Sequence, residues 1–125
     1  MAEPQEFKNK IRSMIPQEYN LEFLGSNFDQ IAQLLSDSRA QAIYDWVQRV
    51  TERKIQPITI GSKKAYKDWQ ISELMTFRCA FNLNNVDYRI LFVKIKNSFY
   101  IEFHLGDHKY YDKVRKSLDL KKRNY

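Results

Sequence analysis

The sequence predicts an α+β domain: an antiparallel sheet of mixed strand order, about four strands wide, with a helical hairpin on one face and a further helix at the C-terminus. Three observations carry this. Apolar residues recur at helical spacing in two adjoining stretches between Asn27 and Lys54. From Leu74 the texture changes to runs rich in aromatic and β-branched residues, separated by turn residues. After Gly106 the spacing returns to that of a helix. At 125 residues the chain is read as one domain, 1–125, with room for one core.

Taken in order, residues 4–15 predict an amphipathic helix carrying Phe7, Ile11, Met14 and Ile15, stopped by Pro16. "YNLEFLG", 19–25, reads as a strand closed by Gly25. Asn27 is placed to cap a helix whose inward face is Phe28, Ile31, Leu34 and Leu35. "SDS", 36–38, ends it and caps a longer helix with Ala40, Ile43, Val47 and Val50 on one face and Tyr44 and Trp46 on its shoulders. The short polar joint between them predicts the hairpin. "IQPITIGSKKAYKDWQ", 55–70, reads mostly as connector with at most a short strand. Its cluster Lys63, Lys64 and Lys67 around Tyr66 is either a solvated charge run or an RNA-binding loop.

"LMTFRCAFNL", "DYRILFVKI" and "SFYIEFHL" then form a meander. With turns at Asn84–Asn85 and Lys96–Asn97, Phe77, Cys79, Phe81, Tyr88, Ile90, Phe92, Phe99, Ile101 and Phe103 share an apolar face turned to the hairpin. The other face collects Arg78, Ala80, Asn82, Arg89, Leu91, Val93, Tyr100, Glu102 and His104, with Arg89 and His104 as direct cross-strand neighbours. Its bland reading is the solvated side of an antiparallel sheet. The last helix is capped by Asp107 and packs Tyr110, Val114 and Leu118 on one side.

The formal charge of +6 favours an anionic partner. The single cysteine, Cys79, leaves no internal disulfide and no cysteine-based zinc site. A polar N-terminus and the lack of a long apolar run predict a cytoplasmic chain with no membrane partner. No metal site or cofactor is expected, since Gly-rich phosphate loops and metal-ligand motifs are missing. Two arginines, a histidine and tyrosines on one surface are the parts for RNA cleavage by attack of the ribose 2′-OH. Guanidinium groups hold the phosphate, histidine moves protons, and rings stack on bases.

The segment "FNLNNVDYRILFVKIKNSFYIEFHLGDHKYYDKV" resembles the C-terminal half of the RelE/ParE toxin superfamily, most of all its HigB-type members. The resemblance rests on an aromatic-Asn strand, a turn and "YRI" opening the next strand, then a final strand running into His108, Tyr111 and Asp112. It implies a RelE-like fold and the toxin of a type II toxin–antitoxin system, a metal-independent endoribonuclease (mRNA interferase) acting on messenger RNA at the ribosome and masked by a cognate antitoxin. It also implies that Arg89 contacts the scissile phosphate, that His108, Tyr111 and Asp112 complete the catalytic set, and that Arg78 binds RNA. His104 joins the RNA-binding set from the face argument alone. The chain departs from the family in its N-terminal helical extension, 1–18, which would cover the sheet, pair a second copy in a homodimer or replace an antitoxin contact. The alternative is a non-catalytic member of the same fold, gyrase-inhibitor-like or an RNA-binding accessory protein.

Overall fold

The computed structural model describes residues 3–55, 58–61, 73–95 and 99–117. Their elements are α1 (Pro4–Ser13), β1 (Asn20–Leu24), α2 (Phe28–Leu34), α3 (Asp37–Thr51), β2 (Ile58–Gly61), β3 (Glu73–Leu83), β4 (Val86–Ile95), β5 (Tyr100–Asp107) and α4 (His108–Ser117). The Lys63, Lys64 and Lys67 cluster, the Lys96–Asn97 turn and Leu118 lie outside the described residues.

Local chemistry sets most boundaries. The Glu3 carboxylate accepts the N–H groups of Gln5 and Glu6 at 3.0 and 2.9 Å, ahead of Pro4 in the first turn of α1. Beyond α1, the Arg12 guanidinium donates to the carbonyls of Ile15, Gln17 and Tyr19 at 3.2, 2.9 and 3.0 Å and folds the chain toward β1. Ser36 caps α3 by accepting the Arg39 N–H at 3.1 Å. Asn27 stands at the α2 N-cap but makes no side-chain capping bond there. Asn84 and Asn85, at φ 51° and 67°, form the two-residue turn between β3 and β4, the left-handed pair that suits the twist of a hairpin.

The sheet order is β1-β5-β4-β3-β2. β1 pairs parallel to β5 and every other pair is antiparallel. The sheet is one strand wider than the sequence suggests, because Ile58–Gly61 pairs along the edge of β3. The register of β5 also differs. A two-residue turn would set Arg89 against His104, whereas Arg89 pairs with Gly106 and Leu91 with His104. The offset is two residues, so every side chain keeps its expected face.

The apolar face is built as expected. Phe77, Phe81, Ile90, Phe92, Ile101 and Phe103 are buried in one cluster with Phe28, Ile31, Leu35, Ala40, Ile43, Val47 and Val50 of the helical segment. Trp46, placed on the shoulder of α3 by its spacing, is buried with its edge on Phe92. Two expected core residues are not there: Leu34 is 47% exposed and Phe99 61% exposed. Phe99 instead meets the Tyr19 ring edge-on at 5.3 Å. The described part of the extension, residues 3–18, sends Phe7, Ile11 and Ile15 into the core. Phe7 and Ile11 are fully buried, and the Phe7 ring lies 6.2 Å from Phe28, 5.7 Å from Tyr44 and 6.4 Å from Phe103.

The second face is not the open surface that alternation suggests. α4 packs across β4 and β5. Leu91, Val93, Thr76 and His104 are buried on this side, as are Tyr111 and Arg115 of the helix. Arg78, Ala80 and Asn82 of β3 remain exposed. The molecule is therefore three layers, with the sheet in the middle. Among the described residues no helix is long and apolar enough to cross a membrane.

Because α1 fills the core, Phe7→Ala should cost about 3–5 kcal/mol of unfolding free energy. Urea denaturation measures this. A loss below about 1 kcal/mol would mean that α1 is a detachable cover, since surface substitutions stay within about half that value.

Candidate functional site

The junction between β5 and α4 has no linker, and its residues explain how the helix turns back onto the sheet. Gly106 is buried, and Tyr110 lies directly on its backbone; a Cβ at 106 would stand 2.7 Å from the Tyr110 Cβ. Asp107 accepts the Tyr110 N–H at 2.9 Å and caps α4, as its position predicts. A close approach that only glycine permits is thus fastened by a cap one residue later.

Beneath α4, three alternate residues of β5 point the same way and are joined by hydrogen bonds. The Tyr100 hydroxyl donates to Glu102 Oε2 at 2.8 Å. Glu102 Oε1 lies 2.9 Å from His104 Nε2, and His104 Nδ1 lies 2.8 Å from the Tyr110 hydroxyl. A carboxylate only accepts, so the Nε2 facing it carries a proton. In the neutral imidazole Nδ1 then accepts from Tyr110. His104 is 8% exposed, which makes the partners on both ring nitrogens important to its burial. Burial, and then the charge of Glu102, push the Tyr110 phenol up to about 12. Burial and the hydrogen bond to Glu102 raise Tyr100 as well.

Arg89 stands across β4 from Gly106. Its Nη1 donates to the Tyr88 carbonyl at 3.2 Å, and its guanidinium carbon lies 6.0 Å from the centre of the Tyr111 ring. Its Nε is buried and makes no hydrogen bond among the described residues. Tyr111 is 4% exposed, so its ring serves as the floor beneath Arg89 and is not presented outward. On the outer side of α4, His108 Nδ1 meets Asp112 Oδ2 at 3.2 Å with side-chain exposures of 51% and 33%. Asp112 also accepts from Arg115 Nε at 3.5 Å.

The structure therefore gathers Arg89 and Tyr111 beneath α4, with His104 buried on the same face. His108 and Asp112 form a separate pair on the exposed helix surface, and Arg78 lies on the uncovered part of β3. Sequence reasoning counted Tyr110 only as a packing residue, and placed Tyr100, Glu102 and His104 on one face without reading them as a hydrogen-bonded chain. The Tyr-x-Glu-x-His alternation on one strand was the available signal. A cavity of about 420 Å³ lies on the opposite side of the sheet between Ile15, Tyr19, Val50, Phe77, Phe92 and Ile101. None of the residues proposed for RNA chemistry line it. Among the described residues no group of three or more His, Cys, Asp or Glu side chains is arranged to hold a metal ion.

The raised Tyr110 predicts an alkaline signature. The folded state holds that proton above the ordinary tyrosine value of about 10, so its contribution to stability is complete below pH ~10 and is lost as pH rises toward about 12. Melting curves of wild type and Tyr110→Phe over this window should converge as pH rises. Parallel curves would contradict the hydrogen-bonded phenol.

No protein-family model, curated protein or solved structure matches this chain, so the functional reading rests on its own residues and their geometry.

Proposed function

We propose that this chain is the toxin of a type II toxin–antitoxin pair: a cytoplasmic endoribonuclease that cleaves ribosome-bound messenger RNA, without a metal, by attack of the ribose 2′-oxygen on the adjacent phosphate. The observation that carries the reading is Arg89. Its guanidinium is set on a central strand, backed by the Tyr111 ring and tied to the Tyr88 carbonyl, with a buried Nε that no group among the described residues uses. A phosphate offers the planar, bidentate acceptor that such a donor fork fits. The element order also agrees with the resemblance: a first strand, two helices, a meander and a final strand running straight into a helix. The formal charge of +6 draws RNA toward the surface.

In this mechanism Arg89 holds the scissile phosphate and offsets the negative charge that builds on it as the 2′-oxygen attacks. Arg78, exposed on β3, adds attraction for the RNA backbone, as would Lys63, Lys64 and Lys67. His108 and Asp112 sit at the outer lip of α4 and contact RNA from the surface. A cognate antitoxin would mask the same face. A non-catalytic RNA-binding role is favoured by one observation: Tyr111, which should stack on a base in the catalytic reading, is buried.

Cleavage of ribosome-bound message, followed by mapping of RNA ends, tests the proposal. Arg89→Ala should lower the rate ~10²–10³-fold, as removal of one transition-state donor does. Arg89→Lys should recover little of it, because an ammonium lacks the planar fork. His108→Ala should cost less than Arg89→Ala, since His108 is half exposed and already paired with Asp112. Equal rates for folded wild type and Arg89→Ala would overturn the phosphate role. Salt-sensitive RNA binding without cleavage by the wild type would establish the binding role instead.

A further inference from the structure

We infer that Tyr110, backed by His104 and Glu102, is the group that takes the proton from the attacking ribose 2′-hydroxyl. This deepens the nuclease reading and rests on it. Tyr110 is the partly exposed end of a hydrogen-bonded chain whose interior members, His104 and Glu102, are shielded from solvent. The order hydroxyl, imidazole, carboxylate is that of an activated-hydroxyl triad, with both contacts below 3 Å: 2.8 Å from Tyr110 to His104 and 2.9 Å from His104 to Glu102. Its place in the fold ties it to Arg89. Tyr110 rests on Gly106, and Gly106 is the residue paired with Arg89. Phosphate held by Arg89 would therefore lie beside the phenol.

The proton path balances. The 2′-hydroxyl gives its proton to the Tyr110 oxygen while the Tyr110 proton moves to His104 Nδ1. The 2′-oxygen–phosphorus bond forms and the phosphorus–5′-oxygen bond breaks. The departing 5′-oxygen takes a proton from water, and the hydroxide so formed takes the extra proton from His104. The products are a 2′,3′-cyclic phosphate and a free 5′-hydroxyl. Because Tyr110 gains one proton as it gives up another, no free phenolate forms. This suits a phenol held near 12 beside a carboxylate. Glu102 acts on the imidazolium, whose charge it offsets, and is a positioning residue.

The charged and titratable groups around this chain come from each neighbouring element. β5 supplies Glu102 and Tyr100, β4 supplies Arg89, and β1 sets Glu22 opposite Glu102. α4 adds Tyr111 and, one turn further on, Arg115.

The test compares wild type, Tyr110→Phe, His104→Gln, Glu102→Gln and Arg89→Ala on ribosome-bound message, with folding checked by circular dichroism. Tyr110→Phe keeps the ring on Gly106 and should lose ~10²–10⁴ in rate, the usual contribution of a positioned proton-transfer group. His104→Gln should lose a comparable factor, and the double variant with Tyr110→Phe should be no slower than either single one, because both remove the same path; independent structural losses would instead add. Glu102→Gln should retain more activity than either. Loss of cleavage in Arg89→Ala with full activity in Tyr110→Phe would overturn this inference and leave the nuclease standing. Absence of cleavage in the wild type would overturn both. Nitrogen-15 spectra of the wild-type histidines give a reading independent of activity. A proton on His104 Nε2 at neutral pH supports the path, and a proton on Nδ1 with Nε2 bare would overturn it.

Discussion

The approach of α4 to the bare backbone of Gly106 is the constraint on which the polar side of this molecule depends. β5 ends without a connector, and the chain must start a helix while still in contact with β4. A side chain at 106 would occupy the place of Tyr110. Without one, Tyr110 seats on the strand and reaches His104, while its neighbour Tyr111 turns under the sheet and faces Arg89. Asp107 fastens the first turn. One close backbone contact thus orients both the phenol and the guanidinium.

The two sheet faces are stabilised differently. On the helical side, rings meet at tilted and edge-on angles around Phe103, with Phe7, Phe23, Phe28 and Phe92 all within 6.5 Å of it, centre to centre. That packing is apolar and tolerant of a partner of similar shape. On the α4 side, Leu91, Val93 and Thr76 are buried beside a histidine and a carboxylate. Burying such groups is unfavourable unless each finds its partners, and the Tyr100–Glu102–His104–Tyr110 chain supplies them. Arg89 differs, since its buried Nε has none among the described residues. The polar face therefore combines a hydrogen-bonded network with a guanidinium that is only partly engaged, by the Tyr88 carbonyl and the Tyr111 ring.

The strand faces were legible because they depend only on parity. Shifting β5 by two residues moved Arg89 from His104 to Gly106 and changed no face. Which residues stand side by side was not legible, because it depends on loop geometry between strands. Helix starts at Ser36 and Asp107 could be read from short polar side chains, whereas the Glu3 cap of α1 was not read, because Glu is an uncommon cap. The exposure of Leu34 follows from the helical period: the buried stripe is Phe28, Ile31, Ala32 and Leu35, and Leu34 falls to its side. Least legible was the burial of the second face. An alternating strand with Arg, Glu and His looks solvated, and only the return of α4 makes those positions interior. The motif residues had the same fate. Tyr111 and His108 are three apart in sequence, yet one turns inward and the other outward.

The central claim is that RNA lies against the surface where Arg89 and Tyr110 meet above Gly106. The most direct measurement is chemical-shift mapping with a short RNA whose cleavage-site 2′-hydroxyl is replaced by hydrogen, so that it binds without reacting. The account predicts the largest changes at the Arg89 guanidinium and at the Gly106 and Tyr110 amides, weakening together as salt is raised. Changes confined to the cavity across the sheet, around Ile15, Val50 and Phe92, would contradict it.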